Sequence, residues 1–147
     1  VLLLKKIGRI FLSYGLRPCF DIVPGKDGCV DNKGCESFIH KCDRKSYIDF
    51  LTSELSHGAI LEIVQKGQQG ITWRSIEAAV YRRKLITNFK DIKNCDFYNP
   101  QNIFVIGEDN YDNLVSFLAS EFQEISPKII NQYCFDGWLA SFVHEKD

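Results

Sequence analysis

Apolar positions along the chain recur at two periods, and the places where the period changes predict its elements. In VLLLKKIGRIFLSYGL, Leu3, Ile7, Ile10, Phe11 and Tyr14 return at helical spacing, and Gly15 stands where a helix C-cap belongs. The stretch LRPCFDIV alternates like a strand and is ended by Pro24-Gly25. A turn-rich loop follows, in which Asp27-Gly28 and Lys33-Gly34 bracket a short hairpin at Cys29-Val30. From Ser46 the period returns to 3.6: Tyr47, Phe50, Leu51 and Leu55 define a helix capped by Asp43 or Ser46 and closed by Gly58.

The second half is read in the same way. AILEIVQKG is a largely buried strand that runs into the turn GQQG. TWRSIEAAVYRRKLI is a helix with Thr72 as N-cap, an apolar face of Trp73, Ile76 and Val80, and the cations Arg82, Arg83 and Lys84 in its last turn. An irregular connection, TNFKDIKNCDFYNPQ, leads to the strand NIFVIG. The strongest helical pattern is EDNYDNLVSFLASEFQEI, with anions first and Leu114, Phe117, Leu118 and Phe122 on one face. Asp136-Gly137 between two aromatic-rich runs predicts a C-terminal hairpin of Lys128–Phe135 and Trp138–Val143. Ser126-Pro127, a good N-cap and N1 pair, offers a helix over the same start. The expected fold is one α/β or α+β domain over residues 1–147, with a mixed sheet, about four helices and that hairpin.

Composition leaves this picture in place: 45% apolar and 25% charged residues describe an ordinary globular chain, not a disordered one. Lys5, Lys6 and Arg9 break the first apolar run, so it reads as an amphipathic helix and not as an export signal. No window is long and apolar enough for a membrane span. Six cysteines spread through the chain, with no Asn-x-Ser/Thr sequon, predict reduced thiols and a cytoplasmic protein.

Charge changes the picture more. From Cys95 onward there are two cations against nine anions, whereas the preceding residues carry a net positive charge. An acidic surface repels nucleic acid and draws basic proteins. Tyr98, Glu108, Asp109, Tyr111, Asp112 and Glu124 are the predicted partner-binding residues, since tyrosines among carboxylates suit such an interface. The function expected is therefore a non-enzymatic protein-binding module, of the kind a small immunity or inhibitor protein uses against a basic nuclease toxin. The expected partner is a protein, with neither nucleic acid nor membrane.

Candidate chemistry is thinner. Cys29, Cys35 and Cys42 lie five and six residues apart, without the close pairs of a zinc knuckle, and neither metal nor cofactor is expected. Cys42, beside His40, Lys41 and Arg44, is the thiol that a small cysteine-dependent enzyme would use, and this is the alternative function. His57 suits a helix C-terminus, and His144 lies in the terminal tail. Glu62 and Lys66, with Asp49 upstream, are four apart and not two as in a metal-dependent nuclease core. GKDG and GQQG are turns, with neither the P-loop pattern nor the dinucleotide fingerprint. A subunit of a larger assembly is the third possibility, marked by an exposed apolar patch.

Overall fold

The computed structural model describes residues 1–134 apart from Asp27, Lys66 and Gln69. Among these residues it is an α/β structure with five α-helices and two small sheets, and every strand pairing is parallel. The chain divides into two compact units, Val1–Leu51 and Thr52–Asp147.

The first unit holds α1 (Leu2–Ser13), β1 (Phe20–Ile22) and β2 (Ile39–Lys41). α1 buries Ile7, Gly8 and Phe11. It ends as expected at Gly15, whose φ of 73° lets Leu16 N–H reach back to the Phe11 carbonyl at 3.0 Å. Phe11, Phe20 and Phe38 meet edge to face, with centroids 6.5 and 6.0 Å apart, and form the core with Ile39 and the buried Cys35. Asn32 Nδ2 donates to the Ile39 carbonyl at 3.0 Å and ties the intervening loop to β2. The hairpin expected at Cys29-Val30 does not form, because β1 pairs in parallel with the more distant β2.

α2 (Tyr47–Leu55) starts as predicted: Ser46 Oγ accepts from Asp49 N–H and donates to its carboxylate, a reciprocal cap. The boundary between the units falls inside it.

The second unit is built on β3 (Ala59–Glu62), β4 (Lys84–Thr87) and β5 (Ile103–Val105), in spatial order β3-β4-β5. α3 (Trp73–Val80) makes the crossover from β3 to β4, a βαβ unit. Ile60, Leu85, Ile103 and Val105 pack with Ala78 and Ala79 of α3, with Ile92 and Phe97, and with Ile129, Ile130 and Tyr133 of α5 (Pro127–Tyr133). On the opposite face Phe104 meets Tyr111 and Phe117, at 5.7 and 5.6 Å. β4 and β5 are buried at every position, as a parallel sheet covered on both faces requires.

Several expectations do not hold. The single mixed sheet is two separate parallel sheets. The first arm of the hairpin, from Lys128, is the helix α5: Pro127 stands in its first turn and Ile129, Ile130 and Tyr133 face the core. The second arm, Trp138–Val143, lies outside the described residues, as do Phe135, Asp136 and Gly137.

The helix predicted to run from Thr72 into Leu85 and Ile86 stops at Val80. Arg82 adopts a left-handed φ of 56°, Arg83 N–H returns to the Ala78 carbonyl at 2.8 Å, and Lys84 begins β4. The face of α3 is also reversed, since Trp73 is 74% exposed while Ser75, Ala78 and Ala79 are buried. Small side chains bring this helix close to the sheet, and hydrophobicity alone points to the other side.

The strongest helical pattern yields only a 3₁₀ turn, Tyr111–Asn113, and the short α4 (Leu114–Ala119). Buried groups hold the next residues extended. Asn102 donates to the Gln123 carbonyl and accepts from its N–H, both at 2.8 Å. Lys84, 5% exposed, donates through Nζ to Gln101 O and Ser120 Oγ at 2.6 Å and to Glu121 O at 3.3 Å. Burial pulls the Lys84 pKa below its ordinary value.

Gly8 is the tightest point of the first unit: a Cβ there would lie 2.1 Å from the Phe38 ring. Gly8→Ala is expected to cost about 1–3 kcal/mol by overpacking, read as a lower urea midpoint with an unchanged slope. In the second unit, the Tyr133 hydroxyl donates to Asp96 Oδ1 at 2.7 Å. Burial, then the hydrogen bond and the charge of Asp96, raise its phenol pKa to about 12. A folded value above the unfolded one means that this contribution is full below the ordinary phenol pKa near ~10, and is lost as pH rises through about 12. Titration of phenolate absorbance is expected to lose its highest step in Tyr133→Phe.

Candidate functional site at the carboxyl edge of the sheet

β3 ends in a glutamate that three hydroxyls surround. Glu62 is 2% exposed. Its Oε1 accepts from Thr72 Oγ1 and from Ser75 Oγ, the latter at 2.8 Å, and its Oε2 accepts from Thr87 Oγ1. The hydroxyls are themselves occupied: Thr72 Oγ1 accepts from Arg74 N–H at 3.1 Å and Thr87 Oγ1 from Phe89 N–H at 3.0 Å. One carboxyl group therefore joins the last residue of β3, the N-cap and first turn of α3, and the last residue of β4. Burying a carboxyl is tolerable only when its oxygens are satisfied in this way.

Asn88 completes the junction. Its Oδ1 accepts from Val64 N–H at 2.7 Å and its Nδ2 donates to Val64 O at 3.0 Å, so the chain leaves β3 and β4 clamped together. Beyond Val64 the loop turns at Gly67 and Gly70, with φ of 90° and 86°, and enters α3 at Thr72. Trp73, the first residue of α3, stands exposed beside it. After β5, Gly107 has φ 85°, and Asp109 Oδ2 accepts from Val105 N–H at 2.6 Å. In parallel sheets, ligands seat outside the carboxyl ends of the strands, and a glycine loop entering a helix there offers backbone N–H groups to an anion.

The GQQG turn was thus identified from the sequence, but its place was not. The signal was Thr72 three residues before Ser75, with Glu62 at the end of an apolar run, a spacing that carries meaning only once β3 and α3 are packed.

The predicted partner-binding residues are not gathered in one patch. Glu108, Asp109, Tyr111 and Asp112 follow the carboxyl end of β5, whereas Glu124 pairs with Arg82, which precedes β4 at the opposite edge, at 3.0 Å. Glu108 meets Lys93 at 2.8 Å and Lys90 at 3.4 Å, and Asp109 meets Lys93 at 3.5 Å. The hydrogen bond from Lys93 holds the Glu108 pKa below its ordinary value. Tyr98 packs half-buried against the core and Tyr111 against Phe104, and burial raises both phenols. Asp112 is exposed, its N–H donating to Asn110 Oδ1.

The alternative thiol pairing is also rearranged. His40 Nδ1 faces Cys19 Sγ at 3.7 Å and Asp21 Oδ1 at 3.8 Å, while Cys42 follows β2 with its N–H on the Ile22 carbonyl. Cys19 was not singled out from the sequence, because its proximity to His40 arises from strand pairing. Burial first, then the Asp21 charge, raise its thiol pKa against the opposing effect of Lys45. His57 follows α2, its Nδ1 2.8 Å from Ser53 O, and His144 lies outside the described residues. No disulfide joins any of the six cysteines, and no described helix is long and apolar enough to cross a membrane.

Comparison with family models, with curated proteins and with solved structures returns no match.

Glu62→Gln puts an N–H donor where a hydroxyl donor already points. It is expected to cost about 1.5–3 kcal/mol, the range of a strong side-chain hydrogen bond, measured by urea unfolding. Hydrogen exchange in the variant is expected to quicken at Arg74 and Phe89, whose N–H groups rest on the hydroxyls that Glu62 orients.

Proposed function

We propose that the second unit binds a small phosphorylated ligand of the nucleotide class at the carboxyl edge of its sheet. The observation that carries this reading is the loop bearing Gly67 and Gly70, which leaves β3 at that edge and enters α3 through the Thr72 cap. Glu62 and Asn88 fix both the start and the end of this loop. A glycine loop that enters a helix is the kind of backbone that can offer N–H groups to a phosphate. The exposed indole of Trp73 supplies a face on which a base can stack. The reading is one of binding, and assigns no catalytic residue.

A second reading is the protein-binding module expected from charge, a cytoplasmic immunity or inhibitor protein for a basic partner. The acidic run from Cys95 and the absence of disulfides favour it. Within that run Glu108, Asp109 and Glu124 meet Lys90, Lys93 and Arg82, so part of its charge is paired locally.

Calorimetric titration with nucleoside diphosphates and with inorganic phosphate tests the first reading. Gln68→Glu, at an exposed loop position, is expected to weaken both at least ~10-fold by charge repulsion. Trp73→Ala is expected to weaken the nucleotide alone, by about 1–3 kcal/mol of lost stacking. Absence of binding to the unaltered protein, or affinity indifferent to Gln68→Glu, contradicts the reading; capture of a basic protein that is lost in Asp112→Lys would support the second.

A further inference from the structure

The first unit carries a separate constellation. The parallel register of β1 and β2 sets Asp21 directly opposite His40. Cys19, two residues before Asp21, shares its side of the strand by the two-residue period. The three donors converge: Cys19 Sγ, a carboxylate oxygen of Asp21 and a ring nitrogen of His40 all lie within 4.8 Å of one another. Their closest separations are 3.7 Å from sulfur to nitrogen and 3.8 Å from nitrogen to oxygen.

These are close to the edges of a tetrahedron around zinc. Bond lengths of ~2.3 Å to sulfur and ~2.0 Å to nitrogen or oxygen give edges of about 3.5 Å for S···N and about 3.3 Å for N···O. The donor set of thiolate, imidazole and carboxylate suits zinc better than calcium or magnesium, which take oxygen alone. Lys45 Nζ holds the other carboxylate oxygen, Oδ2, at 2.9 Å, which turns Oδ1 toward His40.

We propose that Cys19, Asp21 and His40 form a zinc-binding site, with the fourth coordination position filled by solvent. Binding replaces the Cys19 S–H proton, which passes to water, by the S–Zn bond. His40 binds through Nδ1 and keeps its proton on Nε2. All three side chains are exposed, so the ion enters without opening the core. The spacing of Cys29, Cys35 and Cys42 along the chain gives no such indication, because these ligands come together across strands and none of those three cysteines is among them.

The test is titration of the full chain with Zn(II) against a chromophoric chelator, under a thiol-free reductant, with Co(II) as a spectroscopic substitute. One equivalent is expected to bind, with a thiolate-to-cobalt charge-transfer band. Cys19→Ser and His40→Gln are each expected to lose the band or displace it and to weaken Zn(II) by more than ~100-fold, since even outer-shell changes cost 10–100-fold. Cys42→Ser is expected to bind as the unaltered protein does. Asp21→Asn, which keeps the side-chain shape, decides the matter if another variant loses its circular-dichroism spectrum. Binding no tighter than in the Cys19→Ser/His40→Gln double variant, or lost equally in Cys42→Ser, overturns the proposal.

Discussion

The second unit depends on the burial of one carboxyl group. Glu62 stands where β3 ends, and its two oxygens draw hydroxyls from the cap of α3, from its first turn and from the end of β4. Left without these donors, such a group would cost several kcal/mol on the order given for buried polar groups. With them, it fixes the distance between strand and helix and so the path of the loop between. The same junction that satisfies the carboxyl presents the helix N-terminus at the edge of the sheet.

Polar side chains also decide where the regular elements stop. Asn102 and Lys84 grip the backbone from Ser120 to Gln123, and a sequence with strong helical periodicity remains extended there. Thr72 and Ser46 start their helices by the ordinary rules of capping. Arg82 ends α3 in the left-handed conformation usually left to glycine, which frees Lys84 to enter the sheet as a strand residue.

These particulars explain what was legible in the sequence. α1 with its Gly15 terminus, α2, and the strands at Phe20, Ala59 and Ile103 follow from local pattern, because capping and periodicity act over a few residues. The buried face of α3 was not legible, since Ser75, Ala78 and Ala79 carry little hydrophobicity, while the exposed Trp73 carries much. Parallel pairing was invisible for a different reason: the opposition of Asp21 and His40, like that of Glu62 and Thr87, joins residues far apart in the chain. Of the acidic residues, the sequence discloses the charge but not its partners, and Lys90, Lys93 and Arg82 pair with Glu108, Asp109 and Glu124.

We propose that the carboxyl edge, and not the acidic surface, is where this unit meets its ligand. The most direct measurement is a nuclear magnetic resonance titration of the nitrogen-labelled protein with a nucleoside diphosphate, following every backbone amide. Saturating shifts are expected to concentrate in Gly67, Gly70, Thr72, Trp73 and Arg74, and to extend to Asn88. Shifts centred on Asp112 and Tyr111, or none at any concentration, would contradict it.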